Sequence, residues 1–324
     1  MTTWLVGAYT PDMDGAARGI ETLSSHPDGS LGPAGLAAPA TSPSFVLAHA
    51  AAGHTETVYA VSEATGELVA YARGAGNELV ATATVSSGGE APCHIGVYGD
   101  VVIVANYVSG TLGVISRDPI ELVQVLEAEG TGPHEAQDGP HAHSTVQLAN
   151  GDIVSADLGA DRLHVHTLHN SSLTRTRSVE LRAGTGPRDI RQLASNHVLV
   201  LGELSNELLL LDASLQVLAT TQIPGARPGD HAAGISVRGD FVYVTLRGSN
   251  RIGVLRVDGD ELASVADVSS EGDGPRHHVI DGDVLHVANQ LSSTVASFRI
   301  DEAGIPRIIA KPTPVFSPTY LERF

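Results

Sequence analysis

Apolar residues fall in runs of four to eight along most of the chain, either alternating with polar residues or continuous, and the runs end in Gly, Asp, Asn or Ser. Such runs are written by half-buried or fully buried strands joined by tight turns, and helical spacing is scarce. The stretch APCHIGVYGDVVIVANYVSGTLGVISRDPIELVQVLEAEG divides into four strands: HIGVY, VVIVANY, TLGVISR and ELVQVLE. The pattern then repeats. Seven segments, SPSFVLAH, APCHIGVY, GPHAHSTVQL, GPRDIRQL, ARPGDHAAGISV, GPRHHVID and SPTYLERF, set a proline ahead of a short apolar run. Their prolines, Pro43, Pro92, Pro140, Pro187, Pro228, Pro275 and Pro318, are 41 to 49 residues apart. A four-stranded unit of that length predicts an all-β, seven-bladed β-propeller with four antiparallel strands per blade.

The counting also predicts how the ring closes. Blades 1 to 6 span about residues 41–316, whereas the seventh unit stops after one strand at residues 317–324. Its missing strands are WLVGAYT, RGIETLSS and LGPAGLAA, within about residues 1–40. One domain over 1–324 is expected, with blade 7 assembled from both ends and the C-terminal strand innermost. That arrangement hides the open sheet edges.

Composition adds limits. A hydrophobic fraction of 42%, with 35 Gly and 17 Pro, describes a folded, turn-rich chain. The net charge of -18 argues against nucleic acid and anionic membranes as partners, which require a basic surface. Cys93 is the lone cysteine, which excludes an internal disulfide and suits a reducing compartment. No apolar stretch approaches the roughly 20 residues of a membrane helix, and MTTWLVGAYT lacks a charged leader, so a cytoplasmic protein is expected. A monomer or weak homo-oligomer with a small-molecule partner fits.

Antiparallel pairing puts the start of each blade's first strand beside the end of its second. His94, His141, His143, Arg188, His231, Arg276, His277 and His278 occupy the starts; Glu63, Asn106, Asp157, Glu203, Arg247 and Asn289 occupy the ends. These should ring one mouth of the central channel. Asn and Asp at strand ends also serve as ordinary turn residues, whereas Glu203 and Arg247 are long charged groups that need partners. His164 and His166, alternating with Leu and Val in DRLHVHTL, are expected at the surface, as are His49, His54 and His169. The HAH pair, with His134 nearby, could share an ion, because residues two apart on a strand face the same way. No further ligand cluster of metal spacing accompanies it, and neither metal nor cofactor is expected. No GxSxG elbow, nucleophilic cysteine motif or phosphate-cradling glycine loop is present.

At GPHAHS, GPRDI, GELSN, PCHIGVYGDVVIVANYVSGTLGVI and GPRHHVIDGDVLHVANQLSSTVASFRID, the sequence resembles the lactonase family of seven-bladed β-propellers over essentially its whole length. That family includes 6-phosphogluconolactonases and carboxy-cis,cis-muconate lactonising enzymes. The resemblance implies catalytic roles for His143, Arg188, Glu203 and Arg276. His94, His141, Asp157, Arg247, His277, Asn106 and Asn289 are expected to bind substrate around them. It implies lactone hydrolysis by water activated at Glu203 or His143, with arginine stabilising the anion; cycloisomerisation and a non-enzymatic binding scaffold are the rivals. Two departures bear on the substrate. Ala136-Gln137 stands where the family often has Arg-Gln, and GPRDI places Asp189 beside Arg188, so the substrate need not be a phosphorylated sugar lactone.

Overall fold

The computed structural model describes residues 2–50 and 56–324. Apart from one 3-10 turn at Pro11–Met13, its regular elements are strands, arranged in seven antiparallel sheets. Blade 2 is Pro92–Tyr98, Val101–Asn106, Thr111–Arg117 and Ile120–Leu126, ordered from the axis outward. Its second strand is buried at every position, while its outermost strand alternates between half-buried and exposed. This explains the two sequence textures: a strand deep between neighbouring blades needs apolar residues on both faces, and an outer strand only on one. The core is therefore a circle of seven interblade layers. One packs Ile103 and Val114 of blade 2 against Ile153 and Leu173 of blade 3, and another joins Trp4, Val6 and Leu23 of blade 7 to Ala288 and Val295 of blade 6.

Blade 7 closes the circle as expected. From the axis outward its order is Pro318–Arg323, Thr3–Ala8, Gly19–Ser24 and Gly35–Pro39. The terminal strand also clips blade 1, for Glu322 Oε1 accepts the Ala48 N–H at 3.1 Å. Burial raises the Glu322 carboxyl from 4.5 to about 7. Between those values the folded protein holds a proton that the unfolded chain has released, so this group's stabilisation declines as pH rises through the window. Glu322→Gln keeps an acceptor for Ala48 and removes the ionisation. We expect its melting temperature to exceed wild type above pH 7 and the difference to vanish below pH 4.5. A difference independent of pH would discount the ionisation.

One surface expectation fails. His164 and His166 are 4% and 0% exposed. They lie on the third strand of blade 3, Arg162–His169, which is still covered by the blades on either side. Three of their four ring nitrogens find partners within the sheet, and His166 Nδ1 has none among the described residues. His164 Nε2 lies 3.3 Å from Asp157 Oδ2 and its Nδ1 2.7 Å from Ser178 Oγ, while His166 Nε2 lies 2.9 Å from Ser155 Oγ. His169 is exposed and His49 half-buried. His54 lies outside the described residues.

Candidate active site

The channel is shaped by a repeated irregularity. In the innermost strands of blades 2 to 7 the register slips once near the start, leaving one extra residue opposite the second strand. Such a bulge breaks the alternation of side chains, so two consecutive residues can face the same way. The extra residues include Cys93, His143, Arg188, Arg276 and Thr319, each followed by a second inward residue. The result is two stacked rings. The upper ring is Ser44, Cys93, His143, Arg188, Ala233, Arg276 and Thr319; the lower is Phe45, His94, Ser144, Asp189, Gly234, His277 and Tyr320. Arg191, two residues beyond Asp189, faces the channel beneath them.

Above the upper ring stand the residues that follow the second strands. Tyr9, Glu63, Tyr107, Leu158, Glu203 and Gln290 each donate a backbone N–H to the loop leading into the innermost strand of the same blade. Arg247 completes this level in blade 5. Arg188 bonds Glu203 Oε2 and donates from Nε to the Ala233 carbonyl at 2.7 Å. Arg247 Nη2 donates to Glu203 Oε1 at 2.7 Å, with His231 Nδ1 3.3 Å from the same oxygen. Across the mouth, Arg276 Nη2 donates to Tyr9 Oη at 2.7 Å, and that hydroxyl donates to Glu63 Oε1 at 3.0 Å.

Charges are sorted by these contacts. Burial alone would raise the Glu203 carboxyl, but Arg247 and Arg188 outweigh it and hold the group well below the usual carboxylate range. Glu203 is therefore ionised with both oxygens occupied. Burial, reinforced by the Arg188 charge, holds the His143 imidazole well below the usual histidine range, so it is neutral. Burial also brings His94 down to about 4 and raises the Cys93 thiol to about 12, which leaves the thiol protonated. Arg188, Arg276 and neutral His143 thus face one enclosed space, a set suited to proton transfer beside a developing anion.

The profile described as "Lactonase, 7-bladed beta-propeller" matches residues 3–322. The chain belongs to the lactonase family. Among curated proteins, it is 33% identical to the 6-phosphogluconolactonase of Bacillus subtilis over 253 residues, covering 70% of this chain and 72% of the relative. Among solved structures it superposes on a Lactobacillus plantarum protein with a TM-score of 0.91 at 25% identity, covering 100% of both chains. The periplasmic gluconolactonase PpgL of Pseudomonas aeruginosa shares its fold, with a TM-score of 0.86 at 24% identity over 99% of this chain and 98% of that one.

The expected residues separate into three groups. His143, Arg188, Arg276, His94 and His277 line the channel; Glu203 and Arg247 brace it from the mouth. Asn106, Asp157 and Asn289 do not reach it. They are 0%, 1% and 0% exposed: the asparagines donate to the Ser87 and Ser270 carbonyls, and Asp157 accepts the N–H groups of His141 and Ala160. The alternation of the strand is the cause, since the mouth belongs to the next residue, Tyr107, Leu158 and Gln290. His141 also turns away, stacking on Tyr107 and donating from Nδ1 to its carbonyl at 2.8 Å. The bulge at His143 falls between the two histidines' faces, so they do not share an ion. Among the described residues no three His, Cys, Asp or Glu side chains cluster as metal ligands. Tyr9, Phe45, Tyr320 and Arg191 were not expected as site residues. Glu63, expected at the mouth but given no role there, matches Glu203 in position after its strand and does line the channel.

Proposed function

We propose that the protein hydrolyses a small anionic lactone, with the upper ring as its reaction centre. The observation that carries this reading is neutral His143 in the same ring as Arg188 and Arg276. The imidazole takes a proton from water as the oxygen attacks the lactone carbonyl. Arginine steadies the oxyanion, and the imidazolium returns the proton to the ring oxygen as the C–O bond breaks. Glu203 is a positioning residue, since its carboxylate is committed to Arg188 and Arg247. This favours His143 over Glu203 as the base.

The name of the Bacillus subtilis relative supports a sugar-acid lactone as one substrate to try. A cytoplasmic setting and the absence of any needed cofactor belong to the same proposal. The test is a panel of sugar lactones, aryl lactones and muconates, followed by acid release on ring opening and by absorbance on ring closing. Ring opening supports hydrolysis, closure alone supports a cycloisomerase, and no turnover of any member would overturn the enzymatic reading.

A further inference from the structure

The lower ring is divided by chemistry. On blades 2, 1, 7 and 6, His94, Phe45, Tyr320 and His277 form a continuous arc, with ring centroids 4.8, 3.9 and 3.9 Å apart in that order. Facing them on blades 3, 4 and 5 are Ser144, Asp189 and Gly234. Gly234 does not have to be glycine for its backbone. A Cβ there would meet nothing closer than His278 at 3.8 Å, so its missing side chain simply leaves the slot open. Below lies Arg191, whose side chain is 42% exposed. Its Nε makes a long contact of 3.4 Å to the Ile235 carbonyl and its Nη2 stands 3.7 Å from Asp189 Oδ2. Among the described residues its terminal nitrogens have no hydrogen-bonded partner.

We propose that this slot is a distal subsite for a flat ring that ends in an acid group, the ring lying against the aromatic arc and the acid meeting Arg191. The proposal rests on the lactonase reading only in placing the reacting carbonyl at the upper ring. Arg188 and Arg191 are three residues apart on one strand, about 10 Å of extended chain, which sets the reach between carbonyl and acid. The arc's rings stack on one another and so turn their edges to the slot, where a flat ring meets them edge to face. Asp189 Oδ1 and Oδ2 accept the N–H groups of Ile190 and Ile235 at 2.9 Å each and His277 Nδ1 accepts that of Leu321 at 3.1 Å, while Ser144 Oγ and His94 Nδ1 are buried without a partner among the described residues. The acid is the discriminating group, because Arg191 can form a charge-assisted pair with a carboxylate and not with its amide.

Calorimetric titration of the full chain with cinnamate and cinnamamide tests the idea without requiring turnover. Cinnamate should bind at least about tenfold more tightly than its amide, the preference a charge-assisted pair with Arg191 gives. Arg191→Gln should remove the preference for cinnamate over cinnamamide, and Gly234→Leu should abolish binding of both while melting as wild type does. Equal binding of cinnamate and cinnamamide by the wild type, or unchanged cinnamate binding in a folded Gly234→Leu protein, would overturn the subsite. If Gly234→Leu does not fold, retention of the acid preference in Arg191→Gln overturns it instead. Cinnamate binding with no lactone opened would defeat the lactonase reading and leave the subsite standing; lactone opening without the cinnamate preference would do the reverse.

Discussion

Removal of Ser317–Phe324 should abolish cooperative folding. The lost strand is the innermost of blade 7 and pairs along Thr3–Ala8 from Trp4 to Ala8. It buries Pro318, Thr319 and Leu321, and it stacks Tyr320 on both Phe45 and His277. Thr319 Oγ1 further donates to the Ser44 carbonyl of blade 1 at 2.8 Å. Without it the inner edge of Thr3–Ala8 and the interblade layer containing Trp4 and Val6 are opened to water. The cost exceeds about 5 kcal/mol, which is comparable to the whole stability of a typical domain. Thermal melting followed by circular dichroism should show a broad or absent transition. A sharp transition at the full-length temperature would refute closure by this strand.

His143→Ala should lower kcat by about a hundred- to ten-thousandfold on any lactone the wild type opens, the range lost with a general base. Melting should change little, because the His143 ring faces the channel rather than an interblade layer. The pH profile separates chemistry from folding. A base works when neutral, and His143 is held well below the usual histidine range. The wild-type kcat/KM should therefore remain on its plateau as pH falls past 6.5 and drop only at more acid pH. That acid limb should disappear in His143→Ala. Glu203→Gln should act more weakly, about ten- to a hundredfold, by loosening Arg188 rather than removing the base. Wild-type kcat in His143→Ala would eliminate the assignment.

Much of this architecture was readable because it follows from local rules. A proline before an apolar run is the first residue of the innermost strand in four of the seven blades, because proline is tolerated where a strand begins. Blade 3 departs: Ala142, two residues after Pro140, pairs with Asp157 as Pro92 pairs with Asn106. That offset moves His141 off the channel and brings His143 onto it. Glu203 and Arg247 were legible as groups needing partners, and they found each other. Their neighbours in the same reading, Asn106 and Asn289, were one residue out of phase, which on a strand reverses the side chain.

The sequence by itself determined the blade number, the four-strand repeat and the closure by both termini, which depend on periodicity and spacing and survive in one dimension. Its resemblance to the lactonase family singled out His143, Arg188, Glu203 and Arg276 as the groups to examine. Tertiary structure alone decided which of them face the channel, that Glu203 is saturated by arginines while His143 is left free, and that His164 and His166 are buried. It alone assembled His94, Phe45, Tyr320 and His277 into an arc. Those four come from four blades at distant points of the chain, and their orientation depends on bulges whose extra residue carries no mark in the sequence. Only ring closure brings them within van der Waals contact.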